Sequence, residues 1–565
     1  ADMDTFQANG EDGAGDAFAV TTTTLGAPLR LTRAGYSAEL TGIETVVIAG
    51  LGGADVLTVT GNIAAAGLGL LQFNGGAGDD VLNGAGATGA INADGGDGAD
   101  DFLGGRSADV LLGGRGADRI DGRAGDDQLN GGAGDDVLNG GPGGEILEGF
   151  GGNDILNGNG GHDNLDGGAG DDQLNGGDSF DNLVGGPGAD VLDGGADSDW
   201  AIYRWSGENQ GLVVDLSATS NQASNDGFGS SDTLIDIENI EGTEFDDSIT
   251  GDSNANNLRG REGNDQLFGG DGDDHLEDGY GNDQVFGGAG SDWINASPGN
   301  DVFDGGADFD SVSFRWWHEP SAGVDIDLGL PANQVIDDGY GGTDTLLNIE
   351  NVLGSDSADS IIGDAQDNSL HGEGGDDIIN GAGGNDFILG GPGNDSLDGG
   401  SGIDRVAYPS WTDVNQAIDV DLAANTAYND GFGSSDSLLN FEDVDGSQFA
   451  DVIRGDSQAN NIRGEVGDDL IIPRGGSDYV VGGAGADTFV YSDSDGNLQF
   501  DTIEDFEPGV DQIDLQAVAS IGDFAQLTAA ATAIGPNLEI DLGNDNTLQL
   551  VNVGLSSLNS NDFLF

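Results

Sequence analysis

GGAGDDVLNGGPGGEILEGF, from Gly131 to Phe150, contains one nine-residue phrase twice and begins it a third time at Gly149. The phrase is G-G-x-G-x-D-x-U-x, where U is a large apolar residue. Asp136 and Leu138 fill the acidic and apolar positions of the first copy, Glu145 and Leu147 those of the second. A strict period of nine with one apolar position per cycle does not suit a helix, which needs apolar residues at three- and four-residue intervals. It suits a glycine turn followed by a short strand whose apolar residue points inward.

Outward from this stretch the register extends over twelve uninterrupted nonapeptides, Gly95 to Ile202. It returns in eight from Gly242 to Ser313, six from Gly354 to Ala407 and five from Gly446 to Val490. The later blocks open on related sequences, TEFDDSITGDSNANNLRG, SDSADSIIGDAQDNSLHG and SQFADVIRGDSQANNIRG, so the chain grew by copying a larger unit. A period of this kind marks a solenoid, in which each repeat buries its apolar face only against its neighbours. The organisation read from it is an irregular β region at 1–74, repeat block 1 at 75–202, an insert at 203–241, block 2 at 242–313 and an insert at 314–353. Block 3 follows at 354–407, a third insert at 408–445, block 4 at 446–490 and a C-terminal β capping segment at 491–565. The blocks that precede inserts hold even numbers of repeats, as expected if two nonapeptides close one coil. The inserts share an aromatic opening, an alternating strand, a glycine turn (DGFGSSD, DGYGGTD, DGFGSSD) and a second strand, and we read them as longer coils of the same stack. The fold class is therefore all-β, a parallel β-roll or β-helix solenoid with irregular β inserts.

The 565 residues carry 104 Asp plus Glu against 14 Lys plus Arg, every one of the latter Arg, for a formal net charge of −90. Such a field repels nucleic acid and anionic membrane and attracts cations. High charge with low hydrophobicity normally gives disorder, but the fixed apolar spacing makes order conditional. There is no Cys for a disulfide framework or a soft-metal site, and no apolar run long enough to span a membrane. The opening residues, ADMDTFQANG, read as if cut from a longer β-rich protein.

Glycines at positions one, two and four let backbone carbonyls turn inward, and the acid at position six adds a carboxylate. A shell of six to eight such oxygens suits Ca2+. One turn cannot complete the shell, but stacking every second nonapeptide on one edge places a cation between turns n and n+2. The acidic ligands read this way are Asp80, Asp100, Asp109, Asp118, Asp127, Asp136, Glu145, Asp154, Asp163, Asp172, Asp181, Asp190 and Asp199, then Asp247, Asp265, Asp274, Asp283, Asp292, Asp301 and Asp310. Asp359, Asp377, Asp386, Asp395, Asp404, Asp451, Asp469, Asp478 and Asp487 complete them. The turn glycines are exemplified by Gly131, Gly132 and Gly134, by Gly167, Gly168 and Gly170, by Gly269, Gly270 and Gly272, by Gly390, Gly391 and Gly393, and by Gly482, Gly483 and Gly485. Asn256, Asn368 and Asn460 depart from the motif, and Asn256→Asp is expected to add a site.

Over most of residues 75–490 the chain resembles the RTX, or haemolysin-type calcium-binding, repeat family. The segment from GADTFVYSDSDG to the terminal Phe563-Leu564-Phe565 resembles that family's uncleaved C-terminal secretion and capping region. The resemblance implies a β-roll that folds on Ca2+, export through a bacterial type I secretion system and an extracellular or cell-surface location. Unfolded in low cytosolic Ca2+, such a chain would fold outside, with roughly 20 to 25 ions bound.

His162, His275, His318 and His371 are scattered, and HExxH, GxSxG and Walker motifs are absent, so the expectation is a chain that is not an enzyme. Trp205, Trp316, Trp317 and Trp411, at the insert entrances, are candidate contacts for a carbohydrate, a cell surface or another partner, although a packing role suits their recurrence better. The leading expectation is a secreted, calcium-binding structural protein of the cell exterior, a surface layer, filament or matrix component assembling head-to-tail as a homopolymer. The alternatives are the repeat and secretion region of a larger exported enzyme or toxin, and an adhesin or carbohydrate-binding arm.

Overall fold

In each nonapeptide the acid is followed by an outward residue, an inward apolar residue and a second outward residue, and in the computed structural model of the chain these three residues after the acid form short strands, such as Arg119–Asp121 and Asn164–Asp166. The structure describes residues 5–9, 15–21, 29–33, 36–40, 45–50, 52–60, 70–204, 207–315, 322–408, 414–493 and 500–565. It divides into two compact units, Ala1–Ala289 and Gly290–Phe565.

In the first unit, strands Val110–Arg115, Gln128–Ala133, Ile146–Gly151, Asn164–Asp166, Asn182–Val184 and Trp200–Ile202 pair in parallel on one side. Asp101–Leu103, Arg119–Asp121, Val137–Pro142, Ile155–Gly160, Gln173–Asp178 and Val191–Ala196 pair on the other. The register is eighteen residues, Leu111 against Leu129 and Leu138 against Leu156, so two nonapeptides close each coil. The apolar position is the core: Leu111, Ile120, Leu138, Leu147 and Leu156 are 0% exposed. Each fully buried Leu contributes about 2 kcal/mol, and a three-residue strand has no stability without its neighbours.

The region before the repeats continues the stack with wider coils. Thr5–Asn9 pairs with Thr45–Ala49, which pairs with Leu70–Ala77, which pairs with Ala90–Asp97, while Ala17–Thr21 pairs with Val56–Thr60. The first insert does the same. Thr233–Ile235 and Asn239–Glu241 add one coil in register, Leu234 on Leu192 and Ile240 on Ala201, and Leu212–Asp215 pairs in parallel with Ser248–Thr250.

In the second unit the other two inserts repeat this plan, with Leu346 on Phe303 and Val352 on Val312, then Leu438 on Leu397 and Val444 on Val406. An alternating segment near the C-terminus forms an antiparallel pair, Asn537–Gly543 with Asn546–Leu550, turning at Asn544 and Asp545, both with positive φ. A helix, Phe524–Ala530, is capped by the Asp523 carboxylate, which accepts the Gln526 N–H. Phe489, Phe506, Phe563 and Phe524 form a chain of ring contacts with centroids 6.1–6.5 Å apart.

Candidate metal centres

The parallel register sets each position-six acid directly over the backbone of the previous coil. One carboxylate oxygen, Oδ1, accepts the N–H of the acid eighteen residues earlier: Asp118 from Asp100 at 2.7 Å, Asp136 from Asp118 at 2.6 Å and Asp154 from Asp136 at 2.7 Å. The opposite edge carries the same ladder, with Asp127 accepting from Asp109, Asp181 from Asp163 and Asp199 from Asp181 at 2.7–2.8 Å. In the second unit Asp377, Asp395, Asp404, Asp469 and Asp487 accept likewise at 2.7–3.0 Å.

The other oxygen, Oδ2, is buried and has no hydrogen-bond partner in Asp80, Asp100, Asp118, Asp127, Asp136, Asp154, Asp163, Asp172, Asp181, Asp190, Asp199 and Asp265. The same holds for Asp310, Asp377, Asp386, Asp395, Asp404, Asp469, Asp478 and Asp487. A buried carboxylate with an unmet oxygen is costly when charged. Burial accordingly pushes the carboxyl groups of Asp100 and Asp136 up to about 7 and that of Asp190 up to about 8, with neighbouring carboxylates adding to the rise. A row of hard, anionic oxygens beside glycine-turn carbonyls fits Ca2+, which would supply the missing partner. Among the predicted acids, Asp274, Asp283, Asp292 and Asp301 are buried at the equivalent positions.

Four predicted ligands lack a spare oxygen. Asp247 takes the Leu212 and Thr243 N–H groups and the Thr243 hydroxyl, and Asp359 takes Val324 and Ser355 in the same way. Asp451 takes Ile418 and Ser447, and Asp109 takes the Ile91 and Gly105 N–H groups. A Thr or Ser at position two, in Thr243, Ser355 and Ser447, was the legible sign of the first three. These carboxylates hold turns by hydrogen bonds rather than offering a free donor to metal.

Glu145 breaks its ladder. Its longer side chain leaves both oxygens buried and unpaired, and burial together with Asp163 pushes its carboxyl up to about 9. Glu145→Asp is expected to bring the carboxylate under the Asp127 N–H and to stabilise the calcium-bound roll by about 1 kcal/mol. A raised thermal midpoint at fixed Ca2+ checks this, and a lowered one contradicts it.

Asn256 corrects an expectation. Its Oδ1 accepts the Asp252 N–H and its amide donates to the Glu238 carbonyl at 2.9 Å, so it is satisfied without metal. Asn256→Asp would set a carboxylate against that carbonyl. The expected result is more Ca2+ needed to fold, read by circular dichroism, with no added ion; an extra bound ion at unchanged stability would overturn it.

Sequence reasoning missed several ladder acids. Asp55 accepts from Asp16 and Asp80 from Asp55. In the inserts, Asp232, Asp344 and Asp436 accept from Asp190, Asp301 and Asp395, while Glu238, Glu350 and Glu442 accept from Asp199, Asp310 and Asp404. The signal was present: in DTLIDIENI an acid stands two residues before Leu234 and again two before Ile240. A second, exposed ladder runs through position five in the opposite sense, the later coil donating, as when Asn153 donates to Asp135 and Asp171 to Asn153. His162 lies on it, stacked on Phe180 with ring centroids 5.6 Å apart.

The first glycine of the phrase has a different role from the one expected. Gly131 does not have positive φ; a Cβ there would collide with Asp136 Oδ2, so the residue makes room for the carboxylate. At Gly134, φ +138°, a Cβ would collide with the Gly116 carbonyl of the previous coil. Trp205, Trp316, Trp317 and Trp411 lie outside the described residues. The insert-opening aromatics that are described, Tyr203, Phe314 and Tyr408, are buried.

Repeats described as the RTX calcium-binding nonapeptide repeat match at residues 72–87, 94–147, 148–201, 237–312 and 353–406. The chain is an RTX repeat protein. Residues 427–565 of the RTX chain match the family described as Peptidase M10 serralysin C terminal. The RTX chain therefore binds calcium and is exported by type I secretion. Among the described residues no helix is long and apolar enough to cross a membrane. No curated protein matches. A solved structure, the extracellular lipase LipA from Serratia marcescens, is similar at 18% identity and a TM-score of 0.17. The match covers 40% of this chain and 44% of that one, so this RTX chain aligns with less than half of the lipase.

Proposed function

We propose that this RTX chain is a calcium-conditioned structural protein of the cell exterior, extended before export and folded and self-assembled outside. The observation that supports this is the run of buried, unpaired carboxylate oxygens, which makes cations part of the fold rather than an addition to it. Binding free energy then becomes folding free energy. On this reading roughly 20 ions are bound, the chain performs no catalytic step, and the stack propagates head-to-tail into a homopolymer by covering one copy's open strand edges with another's. Light scattering at millimolar Ca2+ tests the assembly: growth into large particles supports it, and a monodisperse monomer counts against it.

The serralysin C-terminal match favours a second reading, the repeat and secretion part of a larger exported enzyme. A third, a carbohydrate or cell-surface contact, draws on a cavity of about 590 Å3 lined by Trp293, Arg315, Asp356, His371 and Glu373. Loss of binding to a glycan array on Trp293→Ala would move weight to it.

A further inference from the structure

The inserts carry acids that the nonapeptide pattern does not contain. In the first insert the turn aspartate Asp226 is 1% exposed. Its Oδ1 accepts three backbone N–H groups, from Phe228, Gly229 and Ser230, at 2.8–2.9 Å, and so fixes the DGFGSSD turn. Its Oδ2 is buried and has no hydrogen-bond partner. Asp232, six residues on, gives its Oδ1 to the Asp190 N–H at 2.9 Å, and its Oδ2 and that of Asp190 are also buried and unpaired. The charges of Asp226 and Asp232 both act on Asp190, and the buried Tyr203 phenol is influenced by all three acids.

The third insert, with the same DGFGSSD turn, reproduces this arrangement. Asp430, 0% exposed, accepts Phe432, Gly433 and Ser434 N–H groups through Oδ1 and leaves Oδ2 buried and unpaired. Asp436 accepts the Asp395 N–H, and the Tyr408 hydroxyl donates to Asp436 Oδ2 at 3.3 Å.

The second insert differs at two points. Asp338 accepts the Tyr340 and Gly342 N–H groups through Oδ1, but its Oδ2 also accepts a backbone N–H, from Gly299 at 3.4 Å. Phe314 stands where the other inserts have Tyr203 and Tyr408, so that position carries no phenol.

We propose that the first and third inserts each add a divalent-cation site where the insert meets the nonapeptide array, built on the free Oδ2 of Asp226 with Asp232 and the array acid Asp190 beside Tyr203, and on that of Asp430 with Asp436 and the array acid Asp395 beside Tyr408. The second insert lacks the free turn-aspartate oxygen on which these sites are built. The all-oxygen, multiply anionic donor set selects Ca2+, or a lanthanide in its place, over softer metals. The turn aspartate is the ligand specific to the insert, and its other oxygen ties the ion to the turn conformation. Calcium thereby locks the inserts to the stack as well as the repeats to one another. This inference does not depend on whether the chain polymerises.

The test uses the full chain with Tb3+ as probe, excited through tyrosine, and with Ca2+ stoichiometry measured separately. Asp226→Asn and Asp430→Asn keep an oxygen for the turn N–H groups while removing the charge, so the fold is retained, which circular dichroism at saturating Ca2+ checks. Each is expected to lower Ca2+ stoichiometry by one and to reduce tyrosine-sensitised Tb3+ emission, while Asp338→Asn changes neither. Tyr203→Phe is expected to reduce the emission with the far-UV spectrum unchanged. Equal effects of Asp226→Asn and Asp338→Asn, or unchanged stoichiometry in both Asp226→Asn and Asp430→Asn, would overturn the proposal.

Discussion

Asp127→Ala combined with Asp136→Ala is expected to open both edges of the first repeat block. Each alanine removes the acceptor of a buried N–H, that of Asp109 in one case and Asp118 in the other. An unsatisfied buried donor costs about 1–3 kcal/mol, and each change also removes a free carboxylate oxygen from the cation array. The Ca2+ midpoint of folding should rise, bound calcium should fall, and limited proteolysis at intermediate Ca2+ should cut within residues 110–160 first. The corresponding asparagines keep an acceptor for the N–H and lose only the charge, so they should lower calcium binding with a smaller loss of stability. Unchanged calcium stoichiometry in the double alanine variant would reject the register.

The second large effect is one of pH, in a chelator. Burial holds the carboxyl groups of Asp100, Asp136 and Asp181 at about 7 and those of Asp190 and Asp377 at about 8 in the metal-free fold, against 3.8 when unfolded. An acid whose folded value is raised binds its proton more tightly in the folded state. Its penalty on folding is therefore absent below about pH 4, grows as pH rises, and is complete above about pH 8. Protons partly stand in for cations. Metal-free chain should show more β structure at pH 5.5 than at pH 8, and the Ca2+ needed to fold it should be greatest where the acids are ionised before binding. A metal-free spectrum that does not change between these pH values would contradict the burial of the free oxygens.

The parts of this architecture that were legible in the sequence are those fixed by a single short period. Leu111, Leu129 and Leu147 announced the core and the eighteen-residue coil because nothing but a turn and a strand accommodates one apolar residue in nine. The insert acids were hidden because their spacing to the ladder is 38–43 residues instead of eighteen, and only the stack brings Asp232 over Asp190 or Glu442 over Asp404. Asp247, Asp359 and Asp451 match the motif in sequence yet have other partners, because the adjoining Thr or Ser satisfies the carboxylate locally. Glu145 shows the same limit in reverse: a conservative acid in the motif position is one methylene too long for the N–H below it.

The ladder also explains why glycine and acid occur together. The carboxylate binds the backbone of the coil beneath and needs a partner for its other oxygen, and the first glycine of the phrase leaves the space in which that oxygen lies. Charge that would expand the chain in a chelator becomes, with calcium, the means of closing it.

The most direct test is a Ca2+ titration of the metal-free chain at pH 8, followed by far-UV circular dichroism. The extended chain should pass cooperatively to β structure as calcium is added and return on chelation; a full β spectrum in excess chelator, unaltered by calcium, would contradict a calcium-conditioned fold.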